Sequence, residues 1–391
     1  MGVAGLDGKT IASPTTKTVR KLPIYYRLFY TFASVLVQCV VLPTVSRLFG
    51  ALNKNSKKSP DLVKSYPSLK GLKIRIFYPP THSPSSSSDA PKFPTLLTIH
   101  GGGFVLGSPR DNDLWNRTFS TTHNFLVIAL DYPKAPGSPY PTAIHSLESL
   151  THLILSDSSL PIDKSRLALA GWSAGGNLSL SLSQLPSIRP LISAVIPIYP
   201  VVDFATATSL KLSTRRYKPS LGGFRARGRD FLLPMMGWFN WAYLYPGTSC
   251  HEPLLSPIYA RREDLPKNIF MIACEMDLLA AESWRMISKL AGKRVPLPEE
   301  AVGKQDPGKK GELITHHDER FTWEVKNEEE GMRYKWLLVP DAVHGYDQDS
   351  IGTIMRGDKE GMEDAVIKTE KVARMVGEWL LEGPLKEQRT D

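Results

Sequence analysis

The feature that most constrains this chain is Gly171-Trp172-Ser173-Ala174-Gly175, which directly follows the apolar run LALA and directly precedes NLSLSLSQL. A β-branched or apolar run reads as a buried strand, and the run after the glycines reads as a helix. The serine therefore falls on a strand-to-helix turn. Glycines two before and two after it keep neighbouring backbone clear, so its hydroxyl is raised above the end of a sheet. A purely structural turn is the competing reading, but strand before and helix after argue against it. A chain with such a turn needs parallel strands joined by helices. The sequence supplies them: strand-like runs at Lys73–Tyr78, Pro94–His100, Phe125–Leu130, Arg166–Ala170, Ala194–Tyr199, Asn268–Ala273 and Tyr334–Val339, with helical spacing at Pro141–Leu155 and Met362–Leu381. Short, nearly continuous apolar strands of this kind predict a mostly parallel α/β sheet with helices on both faces.

A second strand end carries His100-Gly101-Gly102-Gly103-Phe104. Three successive glycines are poor helix or strand formers, and they leave backbone N–H groups free to approach a ligand closely. Without G-x-G-x-x-G or G-K-[ST] elsewhere, nucleotide binding is set aside. A nucleophilic serine next requires a histidine base and an acid to orient it, in the chain order serine, acid, histidine. Asp277 follows the run NIFMIACE at a strand end, with Glu275 as the competing acid two positions earlier. Of nine histidines, His344 in DAVHGYD lies just past the strand YKWLLVP and has Gly345 beside it. His82, His316 and His317 fall in polar stretches, and His123, His145, His152 and His251 lack a strand-end setting.

Three stretches interrupt the alternation. HSPSSSSDA (82–90) reads as an exposed connector. Residues 203–255 concentrate Phe231, Trp238, Phe239, Trp241, Tyr243 and Tyr245, an insertion with an apolar face. Residues 292–330 are charged and carry Pro296, Pro298, Pro307 and Gly308, which reads as a solvated, partly flexible surface excursion.

Charge is uneven along the 391 residues. Thirteen basic against two acidic side chains put +11 on residues 1–75, so the overall +9 leaves −2 on the rest. A nucleic-acid-binding body is excluded on that ground, whereas a basic arm near anionic lipid fits. Within the arm, Leu28–Ser46 is an uncharged run of 19 residues with basic flanks on both sides. Its length just reaches a membrane span, but Pro43, Gln38 and Ser34 weaken that reading. An apolar helix packed on the body is the favoured expectation and membrane attachment through residues 20–50 the alternative. The three cysteines, Cys39, Cys250 and Cys274, show no framework or zinc spacing. The compartment is expected to be the cytoplasm or the endoplasmic-reticulum membrane.

Taken together with DYPKAPGSPYPTA (131–143), IYPVVDF (198–204), LLSPIYA (254–260) and EMDLLAAES (275–283), the motifs HGGGF, GWSAGG and VHGYD resemble the hormone-sensitive-lipase-like branch of the α/β-hydrolase superfamily, which includes arylacetamide-deacetylase-type and plant carboxylesterase-like proteins. The resemblance covers about residues 70–290 and 335–381. It implies an α/β-hydrolase fold with a helical cap, Ser173 as nucleophile, His344 as general base and Asp277 as its acid. The amides of Gly102, Gly103 and Ala174 would hold the oxyanion, with Gly101 shaping the loop and His100 bracing it. The implied organisation is a basic N-terminal segment (1–70), core (71–202), cap insertion (203–255) and core again (256–391). Two departures stand out: Asp277 and His344 are 67 positions apart, longer than usual for the family, and the segment before residue 70 has no firm counterpart. The expected activity is hydrolysis of a small to medium apolar carboxylic ester or lactone, without metal or organic cofactor. A non-hydrolytic cyclisation, condensation or acyl transfer on the same scaffold is the alternative. A ligand receptor is disfavoured by the intact His344.

Overall fold

The computed structural model describes residues 17–41, 44, 58–83, 91–348, 355 and 357–387. Its centre is a nine-stranded sheet built from β1 (Leu62–Lys64), β2 (Ile74–Phe77), β3 (Phe93–Ile99), β4 (Leu126–Leu130), β5 (Ile162–Trp172), β6 (Ala194–Ile198), β7 (Asn268–Cys274), β8 (Thr322–Asn327) and β9 (Met332–Val339). The spatial order is β1-β2-β4-β3-β5-β6-β7-β9-β8. From β4 through β9 every neighbouring pair is parallel, and antiparallel pairs occur only at β1/β2, β2/β4 and β8/β9. β3 and β4 are buried at every position, as expected of strands covered on both faces.

Helices follow the strands in alternation: α1 (Ile24–Val35), α2 (Asp113–His123), α3 (Thr142–Ser156), α4 (Ala174–Leu182), α5 (Thr208–Ser213), α6 (Leu233–Tyr243), α7 (Ala280–Leu290) and α8 (Lys359–Glu382). Two buried clusters lie on opposite faces of the sheet. One joins α3 and α4 to side chains such as Leu97, Leu169 and Val195; the other joins α2 and α8 to Leu96, Ala170 and Ile196. Leu96 and Leu97, adjacent in one strand, fall in different clusters because successive side chains point to opposite faces.

The charged stretch 292–330 is largely exposed, yet it is anchored to the body. Residues 322–327 form the edge strand β8, and Val302 and Phe321 are fully buried. What holds the excursion down is buried charge: Lys218 Nζ pairs with both Glu275 and Asp341 at 2.6 Å, while the Lys304 amide donates to Glu275 and the Gly308 amide to Asp341. Residues 84–90 of the Ser-rich connector, and most of the apolar run beyond Val41, lie outside the described residues.

Candidate active site

Each sequence-predicted residue sits at the C-terminal end of a parallel strand, where open α/β sheets place their ligand crevices. β5 ends at Trp172 and α4 begins at Ala174, so Ser173 alone makes the turn. Its φ of 54° is a left-handed conformation, costly for a residue with a Cβ and sustained by the strand and helix on either side. The turn also demands glycine. A Cβ at Gly175 would lie 2.1 Å from the carbonyl oxygen of Ile99. β7 ends three residues before Asp277 and β9 five before His344.

The three side chains meet. His344 Nε2 lies 2.9 Å from Ser173 Oγ, and His344 Nδ1 lies 2.7 Å from Asp277 Oδ2. With Nδ1–H donating to the carboxylate, Nε2 is left to accept from the serine hydroxyl. Asp277 also accepts the Leu279 amide on its other oxygen, which fixes the carboxylate plane. Burial by itself pushes the imidazole down, but the Asp277 carboxylate, helped by Asp230 and Asp347, outweighs it and holds His344 above its ordinary range. Glu275, the competing acid, is turned away and engaged with Lys218.

Beside the serine, the loop after β3 folds back on itself, with the amides of Val105 and Leu106 donating to the Gly102 carbonyl. Gly102 has φ +108°, and a Cβ there would lie 2.2 Å from the Leu106 oxygen, so no other residue fits. Among the described residues, no hydrogen bond engages the amides of Gly102, Gly103 or Ala174. Ala174 is the first residue of α4, where the helix dipole adds to the attraction for negative charge. His100 bonds the Gly101 carbonyl at 2.7 Å, faces Asp131 at 3.4 Å and stacks on Tyr132 at 4.4 Å. Burial lowers the pKa of its ring, and Lys134 lowers it further.

A cavity of about 290 Å³ opens over the serine. Gly101–Phe104 form one side, and Phe231, Leu232, Met235, Met236 and Phe239 from the 203–255 insertion form another. The Phe239 ring packs directly on Gly103. Among the described residues, no cluster of three or more metal-ligating side chains occurs.

Sequence reasoning missed several residues at this site. Asp230 receives Arg215 Nε at 2.9 Å and the Leu278 amide at 3.2 Å, which ties the insertion to the residue after Asp277. Asp347 accepts Trp172 Nε1 at 2.8 Å and the Tyr199 hydroxyl, and the Tyr199 ring lies 4.6 Å from that of His344. Asp347 was within reach of sequence reading, three residues after His344 in HGYD. Asp230 carried no local signal.

A parallel sheet with a serine on a strained strand-to-helix turn, hydrogen-bonded through histidine to a buried aspartate, defines a serine-triad α/β-hydrolase architecture. The sequence profile of the α/β-hydrolase fold matches residues 96–303, and the chain belongs to this family, in its hormone-sensitive-lipase-like branch. It is 30% identical over 214 residues to an ethyl acetate hydrolase of Pseudomonas putida, covering 53% of this chain and 62% of that one. It is also 30% identical over 204 residues to an arylesterase of Saccharolobus solfataricus, covering 51% and 63% respectively. The alignments thus span somewhat under two thirds of these relatives. Among solved structures, an esterase of Pyrobaculum calidifontis superposes with a TM-score of 0.61 at 18% identity, covering 93% of this chain and 99% of that one.

Proposed function

We propose that the protein is a serine carboxylic-ester hydrolase. The observation that carries this reading is the continuous chain from Ser173 through His344 to Asp277, at 2.9 and 2.7 Å, beside three unengaged amides. His344 Nε2 takes the Ser173 proton as Oγ attacks the ester carbonyl carbon. The carbonyl oxygen becomes an oxyanion held by the N–H groups of Gly102, Gly103 and Ala174, each worth about 3 kcal/mol in the transition state. The tetrahedral intermediate collapses and expels the alcohol, which leaves with the proton from His344. Water then gives its proton to the same nitrogen, attacks the acyl-enzyme and releases the acid. Asp277 stays ionised throughout and stabilises the imidazolium.

Residues 203–255 serve as a cap in this reading, and the Phe and Met side chains over the serine favour an apolar acyl or aryl group of small to medium size. Relatives named for ethyl acetate and aryl esters support a small ester. We further infer that residues 20–41 attach the protein peripherally to a membrane surface. Helix Ile24–Val41 is long and apolar enough to cross a bilayer, and almost none of it is buried.

The test is hydrolysis of p-nitrophenyl esters of increasing acyl length, beside Ser173→Ala. Serine-dependent turnover with an optimum at short to medium chains is expected, and the variant should lose at least about 10⁴-fold in kcat. Unchanged activity in Ser173→Ala would sink the mechanism.

A further inference from the structure

One stripe of the N-terminal helix touches the protein, and the other is bare. Tyr30 and Ser34, four apart, share a face of α1, and the π-helical turn Leu36–Val41 that continues it carries Gln38 to the same side. Tyr30 packs on Trp241 at 5.6 Å, and Ser34 receives the Trp238 indole at 2.9 Å. Gln38 Nε2 donates to the carbonyls of Val105 and Ala135, both at 2.8 Å. On the opposite face Ile24, Tyr25, Leu28, Phe29, Phe32 and Val35 are 55–66% exposed, and Ser34 is the sole buried residue of α1. An apolar face this open is unfavourable in water, and a helix of this length with so few contacts is only marginally formed there. The charge beside it indicates the occupant: Lys17, Arg20 and Lys21 lead into the helix and Arg27 lies in its first turn, in a segment (1–57) of eight basic and one acidic side chain. That complements an anionic lipid surface. A stripe bonded to the body at residues 30, 34 and 38 means the helix lies along the surface and does not cross it.

The Gln38 contacts are the unusual part. Val105 closes the glycine loop that begins at Gly101, and Ala135 donates its own amide to the Phe104 carbonyl of that loop. One side-chain amide therefore clamps the loop that lines the pocket over Ser173. A second connection runs through Trp238, whose neighbour Phe239 rests on Gly103.

We propose that α1 seats on an anionic lipid surface and that Gln38, as a positioning residue, couples that seat to the glycine loop, so that turnover at Ser173 rises when the helix is lipid-bound. The inference rests on the ester-hydrolase and membrane readings above. Lipid covers the bare face, the helical state gains population, and Gln38 is held on its two carbonyls. Misplacing catalytic donors by about 1 Å costs on the order of 100-fold, so a partial loosening is readable in kcat.

The experiment takes the full chain, p-nitrophenyl acetate as a water-soluble ester, and vesicles of phosphatidylcholine with or without phosphatidylserine. Sedimentation with the vesicles and kcat and KM are measured for wild type, Gln38→Glu (same shape, no donor) and Gln38→Lys (donor restored). The wild type should sediment with the anionic vesicles and gain on the order of tenfold in kcat with KM unchanged. Gln38→Glu should sediment equally, turn over slowly and ignore the lipid, and Gln38→Lys should recover part of the response. Sedimentation without any change in kcat, or full response in Gln38→Glu, would overturn the coupling while leaving the seat intact. Failure to sediment overturns both, and a dimer dispersed by Phe32→Glu would give the face to a second copy instead. A wild type carried down by vesicles but silent toward the ester overturns the proposal through the hydrolase reading alone.

Discussion

Three carboxylates raise the affinity of one imidazole for its proton. Asp277 bonds His344 directly, and the charges of Asp230, from residues 203–255, and of Asp347, from its own loop, add to it. A base must be unprotonated to accept the Ser173 proton, so kcat/KM falls as pH drops through the His344 pKa. Because that pKa is raised, the acid limb is expected to lie above the ordinary imidazole value. Asp230→Asn removes a negative charge that favours the imidazolium, so the limb should move to lower pH in a kcat/KM profile. A limb that stays in place would mean that Arg215, paired with Asp230 at 2.9 Å, already cancels its effect. At this scale the chain order and strand-end settings singled out Ser173, His344 and Asp277 and kept Glu275 as a rival. Only the structure separates the two acids, because Glu275 is spoken for by Lys218, distant in sequence.

At the level of elements, the sheet interior was legible and its edge was not. β3, β4, β6 and β7 are apolar runs with little ambiguity, since burial on both faces admits few other residues. β8 was hidden among charges. Its sequence TWEVKN alternates, but with one face open it resembles loop chemistry, and only Trp323 and Val325 mark the inner side. Pairing to β9 and the buried ion cluster secure this region. Lys218, wholly buried, is the only side chain that pairs with Glu275 and with Asp341 among the described residues. Lys218→Met would strand two buried carboxylates, and a loss of about 3–5 kcal/mol is expected from urea unfolding. A change near zero would show that water enters to solvate them.

For the whole molecule, the division of charge is the property with consequences. Once β1 and β2 are counted with the sheet, residues 1–57 carry +7 and the rest +2, and this basic segment predicts attachment to anionic vesicles that weakens steeply as salt shortens the Debye length, while hydrolysis of a soluble ester stays largely unaffected by ionic strength in the absence of lipid. Vesicle sedimentation across a salt series checks this; salt-independent binding would assign the contact to apolar insertion alone. The sequence by itself determined the sheet's interior, the serine turn, the glycine loop and the identity of the three residues now found in contact, because these depend on local backbone sterics and on apolar periodicity. Tertiary structure alone decided which carboxylate meets the histidine, that buried ion pairs anchor a charged and largely exposed excursion, and that a glutamine in an apolar N-terminal helix grips the loop beside the serine. Each of those depends on side chains far apart in the chain satisfying one another's hydrogen bonds and charges, and no local pattern records such a pairing.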